Sequence, residues 1–205
     1  MLENPKFIVV EDTGQKEGEH LIKHAWWSNH QIAYRRFPLP VGDYVLANHK
    51  IADVVNRKIA RGISIKKMDF LGTYNICVDT KKDIQEIIGN ICGKSHGRFR
   101  DECILAQNNN IKLIILVENR DNVYNFDDLI EWDNPRRAKY DKIKQLKERG
   151  KAKNVKLAKL PPTSGRTLAR AMQTMEAKYG VKFLFCSPEE SGETIMRILL
   201  NPTRR

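Results

Sequence analysis

Four residues, three acids and one lysine, have the types and the spacing that metal-assisted phosphodiester chemistry requires. Asp79 and Lys81 end the apolar segment 74–78 and are two positions apart, so on a strand their side chains share one face. Asp43 follows a glycine at the start of another apolar segment, and Asp12 ends the first such segment of the chain. A surface ion pair between Asp79 and Lys81, which contributes little to stability, is the alternative.

These residue types have a defined chemistry when they act together. A hard divalent cation takes oxygen ligands from carboxylates, polarises a phosphate and lowers the pKa of a bound water. A nearby ammonium group stabilises the developing negative charge or orients the water. Each acid alone is typical of an ordinary turn. An acid followed by acid-x-Lys at adjacent strand ends is the arrangement called PD-(D/E)XK.

Alternating strands and helices must position these residues, which predicts the α/β class. The segment 111–117 is a continuous apolar run of the kind that is buried on both faces of a sheet. Segments 37–47 and 74–81 are expected to pair in antiparallel or mixed fashion, and the later strand–helix–strand units in parallel. The sequence therefore predicts a mixed central sheet flanked by helices on both faces.

A tryptophan pair lies in the first predicted helix, within residues 20–31. Leu21, Ile22, Ala25 and Trp26 recur at helical spacing, which predicts the helix and favours a core position for Trp26. Stacking of the two tryptophans on unpaired bases is the alternative.

The charge balance favours a polyanionic partner. The chain carries a net charge of +11, which is typical of proteins that bind nucleic acid. Much of the excess lies within residues 135–159, where eleven Lys or Arg residues and two acids give a net charge of +9. A solvated helix face is the alternative explanation for this segment.

Composition also limits the cellular setting. No segment approaches the roughly 20 apolar residues of a membrane span, and the N-terminus lacks the pattern of a signal peptide. The four cysteines show no CxxC pair or zinc spacing, so Cys77 and Cys186 are expected to be buried free thiols. We expect a cytoplasmic protein without membrane contact, in a bacterial or phage-infected cell.

The order of the motifs resembles the nuclease domain of the XPF-type structure-specific endonucleases. "VVEDT" resembles that family's first acid motif, "VGDYVLA" its G-D strand, and "CVDTKKDIQEI" its E-R-K strand and following helix. "GRFRDECILAQNNNIKLIILVEN" is similar to the next helix and strand, and "FLFCSPEESGETIMRIL" to the closing strand, turn and helix. The resemblance implies a restriction-endonuclease-like α/β fold, with one nuclease domain across residues 1–205.

The resemblance implies a role for each residue of the constellation. Asp43 and Asp79 are the expected metal ligands, joined by the peptide carbonyl of Thr80, and Lys81 is the expected catalytic lysine. Asp12 is expected to be a supporting acid that holds a second metal or its water. Mg²⁺ is the implied cofactor, with Mn²⁺ as a substitute.

The sequence also departs from the family. Asp79 stands where the family has Glu, Thr80 where it has Arg, and Gln85 where an acid trails the motif. Residues 48–73 and 131–165 are expected to be insertions, the second one basic. No tandem helix-hairpin-helix module follows the motifs, which resembles the compact stand-alone nucleases of phages and bacteria.

Basic residues outside the constellation are the expected DNA contacts. Arg98 and Arg100 flank Phe99, and a role near the scissile phosphate competes with an ion pair between Arg98 and Glu102. The basic segment is expected to follow the DNA backbone through salt-sensitive phosphate contacts. The predicted DNA-binding residues are Arg98, Arg100, Arg136, Arg137, Lys142, Lys151 and Lys153.

The leading hypothesis is a metal-dependent DNA endonuclease that prefers branched or junction DNA. A Holliday-junction resolvase or a nickase on the same fold is a second enzyme hypothesis. A non-catalytic DNA- or RNA-binding protein on a degenerate nuclease fold is the third, and the joint presence of Asp43, Asp79 and Lys81 argues against it. Family members often dimerise, so a homodimer is one expectation, while repair, recombination and phage replication stay open as pathways.

Overall fold

Strands and helices alternate through the part of the chain that this computed structural model describes, residues 5–151 and 154–201. In chain order the elements are β1 (Phe7–Asp12), α1 (Leu21–Asn29), β2 (Ile32–Phe37), β3 (Tyr44–Leu46), α2 (His49–Ala60), a 3-10 helix (Lys67–Phe70), β4 (Ile76–Lys81), α3 (Ile84–Ile91), α4 (His96–Asn108), β5 (Lys112–Glu118), α5 (Phe126–Glu131), α6 (Pro135–Glu148), α7 (Gly165–Tyr179), β6 (Lys182–Cys186) and α8 (Ser191–Leu200).

The strands form one mixed sheet in the order β2-β1-β3-β4-β5-β6. β1 and β2 pair in parallel, β3 is antiparallel to both of its neighbours, and β4, β5 and β6 are parallel. The predicted mixed α/β sheet is therefore confirmed. Because β3 runs against β1 and β4, the start of β3 lies beside the ends of the other two.

Successive residues of the central strands point to opposite faces of the sheet and contribute to two apolar cores, one on each face. Cys77 and Ile115 belong to the core beneath α2, α3, α4 and α7. Val78 and Leu116 belong to the core beneath α1 and α8. Burial on both faces explains the continuous apolar run of β5, and it confirms the expectation that helices cover both faces.

Helix α1 packs with a different face than its apolar spacing suggested. Trp27 is fully buried, whereas Trp26 is partly buried and stacks on His30 with ring centroids 3.8 Å apart. Leu21 and Ile22 are 68% and 46% exposed. Trp26 packs against the margin of the core beneath α1 and α8, so its expected core position is confirmed in part, while Trp27 is the fully buried residue. Polar contacts also hold α1 in this orientation.

Those polar contacts are a buried ion pair and a contact between a histidine and a carboxylate. Lys23 Nζ lies 2.6 Å from Glu118 Oε1, and His24 Nε2 lies 2.9 Å from Glu11 Oε2. They attach α1 to β5 and β1 respectively, while Trp27 Nε1 donates a hydrogen bond to the Gly192 carbonyl of α8 at 3.0 Å.

The two segments expected to be insertions differ in burial. In the first, Ile51, Val54 and Phe70 are buried, so α2 and the 3-10 helix belong to the core. In the second, α6 has no buried residue. Their status as insertions relative to the family stays a prediction.

Two further expectations concern the cysteines and the membrane. Cys77 and Cys186 are buried and free, as predicted, and Cys103 is buried as well. Within the described ranges, no helix has the length and apolar character that crossing a membrane would require.

Candidate active site

Three strand ends meet at one edge of the sheet and bring the predicted acids together. The Asp12 amide donates a hydrogen bond to the Asp43 carbonyl at 2.7 Å, and the Asp43 amide donates to the Val78 carbonyl at 2.8 Å. These backbone bonds place Asp12, Asp43 and Asp79 on three neighbouring strands. The antiparallel direction of β3 is what lets an acid at its start stand between acids at two strand ends.

Asp43 is held firmly by the residue next to Asp79. Its Oδ2 atom accepts hydrogen bonds from the Thr80 amide at 2.7 Å and from the Thr80 hydroxyl at 2.9 Å. The side chain of Thr80 therefore orients the Asp43 carboxylate. The predicted contribution of the Thr80 carbonyl to a metal site stays a prediction.

Asp79 and Lys81 form a buried pair rather than the surface pair considered from the sequence. Lys81 Nζ donates a hydrogen bond to Asp79 Oδ1 at 2.6 Å. Lys81 is only 8% exposed and Asp79 only 3%. Asp79 Oδ2 is buried and has no hydrogen-bond partner among the described residues. An unpaired buried carboxylate oxygen is costly unless something else satisfies it.

The carboxylates around Lys81 shape the acid–base properties of this pair. Burial raises the pKa of the Asp79 carboxyl; Lys81 opposes the rise, and Asp43 and Glu102 add to it. Burial disfavours the Lys81 ammonium, but the surrounding carboxylates outweigh that effect and raise the pKa of Lys81. Proton binding is therefore a joint property of Asp79, Lys81 and the carboxylates around them.

These side chains line a groove of about 1110 Å³ that opens on the sheet edge. Asp12, Asp43, Asp79, Thr80 and Lys81 all belong to its wall. A polar groove of this size, with carboxylates at its base, has room for a charged ligand and for the water that hydrolysis consumes.

The groove fits a divalent cation, although the protein does not present a complete ligand cage. Within the described residues, no group of three or more His, Cys, Asp or Glu side chains is arranged to hold a metal. Mg²⁺ commonly uses only one or two carboxylates and completes its shell with water and substrate phosphate. The unpaired Asp79 Oδ2 beside Asp43 matches that mode of binding.

Asp12 has structural contacts in addition to its place in the groove. Its Oδ1 atom accepts a hydrogen bond from the Leu39 amide at 2.8 Å, and Oδ2 lies 3.5 Å from Lys67 Nζ. Asp12 therefore holds the turn between β2 and β3 and meets a lysine of the 3-10 helix. Its predicted role as a supporting acid stays a prediction.

Glu102 is a member of the site that the sequence did not single out. It lies on α4, lines the groove, and accepts a hydrogen bond from the Gly42 amide at 3.0 Å through Oε1. The ion pair between Arg98 and Glu102 that the spacing allowed does not form in the described part of the chain. The sequence could not show this role, because residue spacing does not reveal that α4 approaches the turn before β3.

The side chains of the residues that follow the acid-x-Lys motif all form hydrogen bonds with other parts of the protein. Asp83 caps α3 by accepting from the Glu86 amide at 2.7 Å, and Glu86 Oε2 accepts from the Lys82 amide at 2.9 Å. Gln85 donates to Asn134 Oδ1 at 2.9 Å. All three acids or amides still face the groove, so they form its rim rather than its base.

The opposite face of the sheet contributes a second polar wall. The buried Lys23–Glu118 pair and His20 line the same groove, and Lys23 Nζ lies 3.2 Å from His20 Nδ1. Burial and the neighbouring Lys23 charge lower the pKa of His20, whereas burial raises that of Glu118 despite its lysine partner.

The predicted DNA-binding residues divide into two groups. Arg98 and Arg136 are exposed and line the groove. The others that the structure describes lie outside its wall: Arg100 pairs with Asp101, Arg137 donates to the Pro162 carbonyl, and Lys142 and Lys151 are exposed. Lys153 lies outside the described residues.

Solved structures with a similar fold include XPF from Aeropyrum pernix. It is 16% identical with a TM-score of 0.51, over 97% of this chain and 66% of that chain. XPF from Aeropyrum pernix in complex with DNA is 14% identical, with the same TM-score of 0.51 and the same coverage of 97% and 66%. The chain thus spans slightly less than two thirds of these relatives, and the likeness concerns the fold.

Comparison with curated protein sequences gives no match. The ERCC4 domain matches residues 12–198, a range that begins at Asp12 and contains Asp43, Asp79 and Lys81. The resemblance inferred from the motif order is therefore confirmed: the chain belongs to the ERCC4 domain family, that of the XPF-type nuclease domains.

Proposed function

We propose that the protein is a metal-dependent DNA endonuclease that hydrolyses phosphodiester bonds, with Mg²⁺ as its cofactor. The observation that carries this proposal is the buried Asp79 carboxylate, which has Lys81 at 2.6 Å on one oxygen and no partner on the other, within the described residues. A buried carboxylate oxygen without a partner is costly, so a ligand at this position would be favoured. A cation bound at Oδ2 would satisfy the oxygen that Lys81 leaves unpaired.

Each residue of the constellation has a task in this proposal. Asp43 and Asp79 hold the cation, and Thr80 fixes the Asp43 carboxylate through two hydrogen bonds. Lys81, kept charged beside Asp79, stabilises the negative charge that develops on the phosphate or orients the attacking water. A bound Mg²⁺ would supply Lewis-acid chemistry here, polarising the phosphate and lowering the pKa of a bound water. Mn²⁺ is expected to substitute.

Basic side chains at the groove and along helix α6 support DNA as the substrate. Arg98 and Arg136 stand on the groove wall, and α6 continues outward from Arg136 as an exposed basic helix. Such a surface suits the sugar–phosphate backbone, which contributes much of the affinity in protein–DNA complexes. A similar fold in XPF from Aeropyrum pernix is known in complex with DNA.

A preference for branched or junction DNA is the finer part of the proposal. It rests on the resemblance to XPF-type structure-specific endonucleases, as does the expectation of a homodimer, which light scattering would check. Binding to DNA or RNA without cleavage is the second candidate function, and the lack of a complete three-ligand cage in the described residues is the observation that favours it.

A cleavage assay separates these candidates. Fork, flap, four-way junction and linear duplex DNA are incubated with Mg²⁺, with Mn²⁺, or with a chelator, using wild type, Asp43→Asn and Lys81→Ala. We expect wild type to cut branched DNA faster than linear duplex, and both variants to lose at least about a hundredfold in rate while still binding DNA.

Two exposed residues outside the groove serve as matched controls. Asp133→Asn and Lys50→Ala make the same chemical changes at exposed positions and should cut like wild type. Tight binding by wild type with no cleavage under any metal would favour the non-catalytic candidate. Cleavage by Asp43→Asn and Lys81→Ala at wild-type rates would place the active site elsewhere.

A further inference from the structure

The turn that presents Asp43 is anchored from outside its own strand. Gly42 has a φ of +74°, which favours glycine, and a β-carbon there would lie 2.8 Å from both Cβ and Sγ of Cys77. The turn is thus pressed against β4, and Asp43 follows immediately. The direction of the Asp43 carboxylate depends on how the Gly42–Asp43 peptide is held.

Hydrogen bonds hold this peptide and the Val41–Gly42 peptide before it. The Asp43 amide donates to the Val78 carbonyl at 2.8 Å, which is an ordinary contact between strands. The Gly42 amide instead donates to the Glu102 side chain at 3.0 Å. The residue before them, Val41, exchanges hydrogen bonds with the Tyr74 hydroxyl at 3.3 and 2.9 Å. Glu102 is therefore the side-chain anchor closest to Asp43 on the α4 side.

We propose that Glu102 is a positioning residue that sets the geometry of Asp43 through the Gly42 amide. α4 brings Glu102 over the sheet edge, and Phe99, one turn earlier, is buried against the same core, with Lys81 Nζ 5.7 Å from its ring centroid. One helix thus reaches both halves of the constellation: it contacts Lys81 through Phe99, and Gly42, the residue before Asp43, through Glu102. This inference rests on the proposed function of Asp43 as a metal ligand.

The hydrogen bond, rather than the charge, is the feature that this role requires. A glutamine at position 102 offers an amide oxygen to the same Gly42 amide, whereas an alanine offers nothing. If Glu102 were instead a ligand for the cation, the glutamine would lose most of its function together with the alanine. The pair Glu102→Gln and Glu102→Ala therefore separates positioning from ligation.

The experiment uses the full chain and two readouts that need no cleavage. Glycine-selective ¹⁵N NMR follows the chemical shift and hydrogen exchange of the Gly42 amide, and calorimetry measures Mn²⁺ binding without DNA. We expect Glu102→Gln to resemble wild type in both. In Glu102→Ala the Gly42 amide should exchange faster and Mn²⁺ should bind about tenfold more weakly, the effect typical of losing a partner that orients a ligand.

Asp101→Ala is the matched control, since Asp101 is an exposed acid on the same helix that pairs with Arg100. It should match wild type in both readouts. An unchanged Gly42 amide in Glu102→Ala would overturn the proposal, and so would a Glu102→Gln variant as impaired as Glu102→Ala. If wild type bound no Mn²⁺, the proposed metal dependence would fail, while the Gly42 amide would still decide the role of Glu102.

Discussion

Gly42 shows how one backbone position controls the candidate site. Its positive φ and its close approach to Cys77 both exclude a side chain, because strain and a steric clash would arise together. Any residue other than glycine must therefore move the turn, and Asp43 moves with it.

Replacement of Gly42 by alanine is expected to destabilise the protein and to impair the site. We expect a loss of about 3 kcal/mol in the free energy of unfolding, which combines the left-handed backbone with overpacking against Cys77. Cleavage should fall more steeply than the folded fraction at the assay temperature. Denaturant unfolding and a cleavage assay on the same sample measure the two effects.

Gly62 provides the control for that substitution. It also has a positive φ, of +63°, but no atom lies within 4 Å of the position that a β-carbon would occupy. Gly62→Ala should therefore cost only the backbone strain, about 1 kcal/mol, and leave cleavage intact. Equal losses in the two variants would show that packing against Cys77 is unimportant.

At the residue scale, the sequence predicted which residues lie together better than it predicted their contacts. The spacing of Asp79 and Lys81 correctly placed both on one face of a strand, and the glycine before Asp43 correctly indicated a turn. Glu102 was missed as a member of the site because its partner, the Gly42 amide, is distant in the chain and lies on another element. Burial of the Asp79–Lys81 pair was also invisible from spacing alone.

At the scale of an element, the buried face of helix α1 also differs from the face that the sequence predicted. Its inward face carries Lys23, His24 and Trp27, while Leu21 and Ile22 face outward. Apolar spacing indicated that a helix forms here, but it did not indicate which face is buried. The sheet offers Glu118 as a partner for the Lys23 ammonium and Glu11 as a partner for the His24 imidazole. Those partners become neighbours only after the sheet has formed.

Removal of Lys23 tests how much the buried pair contributes. In Lys23→Met, Glu118 is left buried without its cation, which typically costs about 3–5 kcal/mol. Burial already raises the pKa of Glu118 in the wild type, and loss of Lys23 raises it further. When the pKa of an acid is higher in the folded than in the unfolded protein, the free energy of unfolding falls as the pH rises above the unfolded-state pKa. The variant should therefore be destabilised more at pH 8 than at pH 5.

Chemical unfolding at the two pH values measures this difference, and an exposed pair is the control. Lys16 and Glu19 are 3.1 Å apart, but their side chains are 78% and 59% exposed. Lys16→Met should change the free energy of unfolding by less than about 0.5 kcal/mol at either pH. A Lys23→Met variant with the same small effect would mean that the buried pair does not secure α1.

At the scale of the whole molecule, the positive charge is displaced from the acids of the site. The carboxylates lie at the base of the groove, whereas the exposed basic helix α6 begins at its rim, beside Arg136. Under the proposed function, this separation would let one surface attract a phosphate backbone while another holds a cation. The basic segment was evident from composition, but its position relative to the groove depended on the fold.

The contribution of α6 to DNA binding is measurable through salt. Replacing the exposed Lys139, Lys142 and Lys144 by glutamine should weaken binding and reduce the slope of log K against log salt by about 0.9 for each lost phosphate contact. Fluorescence anisotropy across a salt series gives both values.

A second triple variant removes the same charge from helix α7, which does not line the groove. Arg166, Arg170 and Lys178 are exposed there, and their replacement by glutamine should leave the salt slope close to wild type. If both triple variants lowered the slope equally, net charge rather than the position of α6 would govern binding.

The sheet order was the part of the fold that the sequence predicted least. Strand and helix positions followed from apolar patterns, and mixed pairing was expected, but the insertion of β3 between β1 and β4 was not specified. Short helices were also missed: α5, capped by Asn125, and the 3-10 helix that brings Lys67 to Asp12. These elements are too short to show a periodic pattern.

The candidate site is also divided between two parts of the chain. Asp12 and Asp43, on β1 and before β3, precede the exposed stretch 61–64, whereas Asp79, Lys81 and Glu102, on β4 and α4, follow it. A single proteolytic nick in that stretch would therefore leave two fragments, neither of which carries a complete site. During synthesis the candidate site cannot form until β4 and α4 have left the ribosome, so under the proposed function cleavage would begin only once most of the core is available.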